Sequence, residues 1–158
     1  MYGAWAGVIL GVMTNCLTLH GPELPFERLC RMNALQLAYA GDTVYDLYVR
    51  TRLLCVSDAK VHALHKSASG YVCARAQSEA LSRVEGMLTD RERDIVRRGR
   101  NAKSHSVPKN ADPGDYSRAT ALEALVGYLY LSGKEERLEE IMKAALMPEG
   151  ETTCQGRR

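Results

Sequence analysis

Apolar residues recur every three or four positions along most of the chain from residue 33 onward. This spacing is typical of amphipathic helices, whereas the alternating, β-branched runs that indicate strands are missing. The pattern therefore predicts an all-α fold of five helices in one domain. The expected helices cover residues 33–54, 58–84, 88–99, 115–131 and 134–146.

Three of these helices carry an apolar stripe that we expect to face the core. In the first helix the stripe comprises Leu37, Val44, Leu47, Thr51 and Leu54. In the second it comprises Val61, Leu64, Ala68, Val72 and Leu81. In the fourth it comprises Ala119, Leu122, Val126 and Leu129.

Residues that favour helix ends refine these boundaries. We expect Ser57 or Asp58 to cap the second helix at its N-terminus, and Gly70 favours a break near its middle. The fourth helix is expected to open near Asp115 and to end at residues 132–133, a Ser-Gly pair.

The third helix is short and highly charged. Thr89 and Glu92 have the spacing of a capping box, in which each side chain binds the other residue's backbone N–H. Gly99 is expected to end this helix in the left-handed conformation. A polar loop then spans residues 99–114.

Composition narrows the class of protein. The chain has 158 residues, of which 46% are hydrophobic and 25% charged; this is ordinary for a globular domain and excludes wholesale disorder. The five cysteines are odd in number, irregularly spaced and without a CxxC pair. A disulfide framework and a zinc ribbon are therefore not expected, and reduced thiols in the cytoplasm fit better.

The two ends of the chain are expected to lie outside the domain. Residues 1–31 are apolar but have no Lys or Arg before Arg28, so a signal peptide is not expected, and their apolar run is too short for a membrane span. We interpret them as an N-terminal extension, with Met32 as an alternative start. Residues 148–158 are expected to form a flexible tail.

Two acids stand in apolar, helical stretches rich in small residues. Asp42 lies in LAYAGDTVYDL and Glu123 in ATALEALVGYLYL. Glycine inside a helix costs about 1 kcal/mol relative to alanine, and a close approach of two helices would compensate for it. That approach would bring the two carboxylates together, and a hard cation such as Mg²⁺ would neutralise their repulsion. Alternatively, each acid simply faces solvent beside a seam of small residues.

Other candidate ligands are weaker. Asp46 lies one turn after Asp42, where it either joins the same site or points to solvent. His62 and His65 are three residues apart, but no third ligand is evident, so we interpret them as surface histidines. GxGxxG and GxxxxGK[ST] motifs are absent, and no nucleotide cofactor is expected.

Positive charge is concentrated in one segment. Between residues 95 and 111 the chain has five cations and no acid, although its formal net charge is only +2. Glycine and asparagine separate the cations, which suits a loop that approaches a phosphate backbone closely, although such a run is also typical of a solvated surface. The candidate residues for binding a phosphate backbone are Arg97, Arg98, Arg100, Asn101, Lys103, Lys109 and Asn110.

Several separate motifs resemble one enzyme family. LAYAGDTVYDLYVRTRLL resembles the signature helix of the ribonuclease III catalytic domain, and ATALEALVGYLYL resembles its second acidic helix. RRGRNAKSHSVPKNAD and LHKSASGYVCARAQ are similar to Mini-ribonuclease III, the short bacterial branch that lacks a double-stranded-RNA-binding domain. The resemblance covers about residues 33–147.

This resemblance implies a homodimeric, helical catalytic domain over residues 32–147 that cleaves double-stranded RNA. It implies that Asp42 and Glu123 hold Mg²⁺, that the products carry 5′-phosphate and 3′-hydroxyl ends, and that the substrate is the 23S ribosomal RNA precursor. RNA binding would then fall to the catalytic domain itself, with no membrane partner.

The chain departs from ordinary ribonuclease III at two positions, as the short branch does. Ala38 and Thr120 stand where longer relatives have acids, which leaves two carboxylates as ligands. Our hypothesis is that Thr120 holds a water in the site. Two other functions stay open: a non-catalytic RNA-binding or ribosome-associated helical module, and a helical interaction domain whose charges only form salt bridges.

Overall fold

The computed structural model describes residues 24–102 and 112–146, and these fold into helices joined by short connections. The helices are α1 (Phe26–Arg31), α2 (Ala34–Val56), α3 (Val61–Val72), α4 (Ala74–Val84), α5 (Asp90–Arg100), α6 (Pro113–Leu131) and α7 (Glu135–Leu146), with a 3₁₀ turn at Glu85–Met87. No strand occurs within the described ranges, so the all-α prediction is confirmed. No helix in those ranges is both long and apolar enough to cross a membrane.

Helix α6 is the centre of the fold. Every residue from Ala119 to Leu129 is buried except Glu123. Helices α2, α4 and α5 pack around α6, while α7 packs against α4 and α6, and α3 against α2. The predicted stripe of this helix is buried, but so is the rest of its circumference, as expected of a helix enclosed by others.

Helices α2 and α6 touch through their backbones. A Cβ atom built on Gly41 would lie 1.8 Å from the carbonyl oxygen of Glu123. A Cβ on Gly127 would lie 1.9 Å from the carbonyl oxygen of Leu37. Both distances are far below van der Waals contact, so only glycine fits at either position. The predicted close approach of these two helices is confirmed.

The predicted buried face of α2 was partly wrong. Leu37 and Val44 are buried, but Leu47 and Leu54 are 42% and 65% exposed. The helix instead buries three further positions along the line that passes through Gly41, namely Tyr45, Tyr48 and Val49. The contact at Gly41 fixes which side of α2 meets α6, and Leu47 and Leu54 lie on the other side.

The predicted second helix is two helices, and its predicted cap was wrong. The break occurs at Cys73, whose backbone is extended, and not at Gly70, which is helical. Helix α3 begins after Lys60, and no side chain caps it. Ser57 instead ends α2, and its hydroxyl accepts a hydrogen bond from the Ala59 N–H at 3.1 Å. The first apolar residue of α3, Val61, is exposed, contrary to the predicted stripe.

Helix α5 begins as predicted but does not end at Gly99. The Thr89 N–H donates to Glu92 Oε2 at 2.8 Å and the Glu92 N–H donates to Thr89 Oγ1 at 3.3 Å, which confirms the capping box. Gly99 is helical and buried, and a Cβ there would lie 2.7 Å from the Cα of Ala121. This glycine therefore serves close packing of α5 on α6 and is not a helix stop.

The ends of the other helices are close to prediction. Helix α6 starts at Pro113, two residues before Asp115, with Asp112 as its cap. It ends as predicted, where Gly133 adopts a φ of 65°. Helix α7 matches its prediction within one residue.

Helix α1 precedes residue 32, and the sequence pattern did not predict it. Its Leu29 is buried, and the Leu24 N–H donates to the Leu131 carbonyl at 3.1 Å. The predicted tail at residues 148–158 and most of the predicted polar loop lie outside the described residues.

We predict that Gly41→Ala destabilises the fold by at least about 3 kcal/mol, because its methyl group would overlap the Glu123 carbonyl. Gly70→Ala is the matched control: it is also helical, nothing lies within 4 Å of its Cβ position, and it should stabilise by about 0.5–1 kcal/mol. Urea unfolding of both variants measures these changes. Equal stability of the two would contradict the backbone contact.

Candidate active site

The crossing of α2 and α6 brings Asp42 and Glu123 to one place. Asp42 directly follows Gly41, whose Cα faces the backbone carbonyl of Glu123. Asp42 is exposed and Glu123 is half-buried, the single residue from 119 to 129 that is not buried. The backbone of both acids thus lies at the crossing of α2 and α6.

The surroundings of Glu123 shift the pKa of its carboxyl group. Burial raises the pKa of Glu123 from 4.5 to about 7, and the Asp42 charge acts on the pKa in the same direction. The Gln77 side chain opposes both effects and lowers the pKa of Glu123. Two like charges that repel at a partly buried position are a typical setting for a bound cation.

Gln77 was not among the residues singled out from the sequence. It lies on α4 and is only 2% exposed, beside Glu123. Its Nε2 forms no hydrogen bond within the described part of the chain. The sequence does contain a signal for Gln77: its polar amide side chain lies on the apolar face of α4, one turn before the buried Leu81.

The donor set suits a hard cation that is completed by other ligands. The described ranges contain no group of three or more His, Cys, Asp or Glu side chains arranged to hold a metal. Mg²⁺ commonly takes only one or two protein carboxylates, and waters and substrate phosphates fill its remaining positions. Asp42 and Glu123 fit that role, and His62 and His65 do not.

Asp46 and His65 take part in a surface network. Asp46 Oδ2 accepts from Arg50 Nε at 2.7 Å, and Arg50 Nη1 lies 3.2 Å from His65 Nδ1. The Asp46 charge is therefore balanced on α2 itself.

The two positions that lack the additional acids are buried. Ala38 is 5% exposed and Thr120 is 7% exposed. The Thr120 hydroxyl donates to the Tyr116 carbonyl at 3.1 Å, one turn earlier in α6. That Thr120 holds a water in the site stays a hypothesis.

The cations at the end of α5 already have partners. Arg97 pairs with Asp94, and Arg98 donates to the Met32 carbonyl. Arg100 pairs with Glu85 at 2.8 Å. The next residue, Asn101, is exposed at the end of the helix.

Three of these side chains border an open cleft. Arg97, Arg98 and Asn101 line a cleft of about 430 Å³ together with Asn33 and Ala34, at the start of α2. The other predicted RNA-binding residues, Lys103, Lys109 and Asn110, lie outside the described residues.

Comparison with known proteins assigns the family. The ribonuclease III domain matches residues 35–134. The chain belongs to the ribonuclease III family. A Mini-ribonuclease 3 of Symbiobacterium thermophilum is 52% identical over 111 residues, which cover 70% of this chain and 85% of that protein. A Mini-ribonuclease 3 of Brevibacillus brevis is 50% identical over 121 residues, covering 76% of this chain and 90% of the relative.

A solved structure supports the fold of this ribonuclease III domain. A crystal structure of a protein from Fusobacterium nucleatum superposes with a TM-score of 0.65 at 30% sequence identity, covering 72% of this chain and 90% of that one. As a ribonuclease III, the chain is an endoribonuclease. Enzymes of this family act on double-stranded RNA and generally depend on a divalent metal ion.

We predict that Glu123→Gln stabilises the metal-free protein at pH 8. The raised pKa of Glu123 means that the folded state binds a proton more tightly than the unfolded chain, so stability falls as the pH rises from about 4.5 to 7. The neutral amide removes this loss, which amounts to about 1–3 kcal/mol. The measurement is urea unfolding in a chelator at pH 8 and at pH 4.

The matched control is Glu79→Gln, which changes an exposed acid paired with Arg75 on α4. This variant should change the free energy of unfolding by less than about 0.5 kcal/mol at either pH. A Glu123→Gln variant that is no more stable than the wild type at pH 8 would contradict the assigned pKa.

Proposed function

We propose that this ribonuclease III is a Mg²⁺-dependent endonuclease of double-stranded RNA in which Asp42 and Glu123 are the metal-binding carboxylates. The observation that carries the proposal is the glycine contact between α2 and α6, which sets both acids at one crossing point. The effect of the Asp42 charge on the pKa of Glu123 supports it. Family membership supplies the reaction class.

Each acid has a distinct role in this proposal. Asp42 is exposed and would be reached first by RNA from the solvent. Glu123 is half-buried on α6, so its carboxylate would be less mobile than that of Asp42. A divalent ion bound between them would polarise the scissile phosphate and lower the pKa of a water. Hydrolysis would leave 5′-phosphate and 3′-hydroxyl ends, as the resemblance to ribonuclease III implies.

The end of α5 is our proposed contact with the RNA backbone. Arg97 and Arg100 each pair with an acid, but their side chains remain 68% and 45% exposed. An exposed pair of this kind contributes little stability and can be exchanged for a phosphate. Arg98 also serves the fold, because it binds the Met32 carbonyl.

A homodimer is part of this proposal. Large apolar side chains of α2 are exposed, with the Asp46–Arg50 ion pair between them: Leu35, Tyr39, Leu47 and Leu54. Exposed large apolar side chains grouped on one helix are typical of an interface with another protein. A second copy of the chain, as the resemblance implies, is the occupant that we propose.

We propose the precursor of 23S ribosomal RNA as the physiological substrate and the cytoplasm as the location. This follows from the similarity of the chain to the Mini-ribonuclease III branch. The proposal requires a stem of paired RNA, since the binding surface of this domain would read the phosphate backbone.

We predict that Asp42→Asn lowers the cleavage rate of duplex RNA by at least about 10²-fold, because half of the anionic ligand set is removed. Folding and RNA retention should stay close to those of the wild type. The measurement is cleavage of a perfect RNA duplex and of its single strand, each with and without Mg²⁺, together with filter binding.

Asp46→Asn is the matched control, since it is the same substitution one turn along α2, at an acid paired with Arg50. It should retain activity within a few-fold. Normal Mg²⁺-dependent cleavage by Asp42→Asn would refute the site. A wild-type protein that binds duplex RNA but never cuts it would favour the non-catalytic RNA-binding module instead.

A second prediction concerns RNA binding. Replacing Arg97, Arg100 and Lys103 with alanine should weaken binding of duplex RNA. The slope of log affinity against log salt should fall by about one unit for each phosphate that the variant no longer binds. Lys143→Ala is the control: this cation pairs with Glu139 on α7, away from the end of α5, and its loss should leave the slope unchanged. An unchanged slope in the triple variant would exclude this surface.

A further inference from the structure

Gln77 and Tyr48 are the two buried residues of the described ranges that have a side-chain polar atom without a hydrogen-bond partner, and Gln77 is the one on the helix α4. In the described ranges the buried polar or charged residues are Gln77, Ser78, Glu92 and Thr120. Ser78, Glu92 and Thr120 all form side-chain hydrogen bonds. Among these four residues, only Gln77 has a side-chain nitrogen that forms no hydrogen bond. Buried donors are nearly always satisfied, so this one points to a group that completes it.

The position of Gln77 is fixed relative to α6. Arg118 of α6 reaches across to α4 and donates to the Ser78 hydroxyl at 3.1 Å, to the Ser78 carbonyl at 3.3 Å and to the Ser82 hydroxyl at 2.6 Å. The residue next to Gln77 is thereby tied to the helix that carries Glu123. Gln77 and Glu123 therefore lie on two helices that these hydrogen bonds hold together.

We propose that Gln77 is a positioning residue whose amide nitrogen donates to the Glu123 carboxylate and holds it toward Asp42 for cation binding. This inference rests on the proposed function of the acid pair. Hydrogen bonds to a ligating carboxylate orient it, and their removal commonly costs a factor of about 10 to 100 in metal affinity. A site with only two protein carboxylates has few other means of holding either one in place.

The alternative role of Gln77 is purely structural, as a filler between α4 and α6. A filler could be replaced by an apolar side chain of similar volume without any effect on cation binding. A positioning residue could not, because the apolar side chain has no donor for the carboxylate. Gln77→Met separates the two roles, since it keeps the length of the side chain and removes the amide.

The experiment measures cation binding without RNA. Mn²⁺ binding to the wild type and to Gln77→Met is followed by electron paramagnetic resonance of the free ion, and we expect about tenfold weaker binding in the variant. The Mg²⁺ concentration for half-maximal cleavage should rise by the same factor. At saturating Mg²⁺ the KM for duplex RNA and kcat should stay within about twofold of the wild type.

Glu79→Gln is the control on the same helix. It changes an exposed acid that pairs with Arg75 and takes no part in holding α4 against α6, so it should leave Mn²⁺ affinity unchanged. If Gln77→Met does not unfold cooperatively, Gln77→Leu replaces it in the same comparison.

Two results would overturn the inference. One is unchanged Mn²⁺ affinity in a folded Gln77 variant, and the other is a lower kcat that saturating Mg²⁺ does not restore. If the wild type itself neither binds Mn²⁺ nor cleaves duplex RNA, the proposed function fails together with this inference. Failure of the inference alone is distinguished by a wild type that does both and a variant that matches it.

Discussion

The backbone contact between α2 and α6 sets the geometry on which the rest of the structure depends. Neither Gly41 nor Gly127 could carry even a methyl group without overlapping a carbonyl oxygen of the facing helix. The separation of the two helices is therefore fixed by the peptide backbone itself, which does not change rotamer. The carbonyl of Glu123 forms this contact, and Asp42 directly follows Gly41 in α2. The backbone positions of both acids are therefore fixed by the same contact.

Through Glu123, the same contact lowers the stability of the folded protein. It holds Glu123 half-buried next to a second acid, so the pKa of Glu123 rises to about 7 and its charged form is disfavoured. A residue chosen for stability alone would be apolar here, as its neighbours in α6 are. A ligand that binds only the folded state offsets such a cost, which couples the stability of this domain to the cation that we propose for it.

The sequence pattern predicted the elements better than the faces they present. Small residues around Asp42 and Glu123 pointed to the helix crossing, because a glycine inside a helix is unfavourable unless something such as close packing compensates for it. Periodicity placed Leu47 in the core wrongly, since it shows that α2 is amphipathic but not which partner it meets. Gly99 was misassigned for a related reason. In the sequence, a glycine that ends a helix cannot be distinguished from a glycine that allows a neighbouring helix to pack closely, as Gly99 does against Ala121. Gln77 was missed because its meaning depends on a carboxylate 46 positions away in the printed sequence.

Helix α6 also relates the basic end of α5 to the acid pair. Gly99 lies against Ala121, two residues before Glu123, so the arginines that flank this glycine keep a fixed distance along α6 from the carboxylates. Arg98 adds a bond to the Met32 carbonyl at the entry to α2, the helix that carries Asp42. The packing of α2, α5 and α6 thus holds both the cations at the end of α5 and the two acids. The packing of these helices therefore sets the spacing between the RNA contact that we propose at the end of α5 and the metal site that we propose at Asp42 and Glu123.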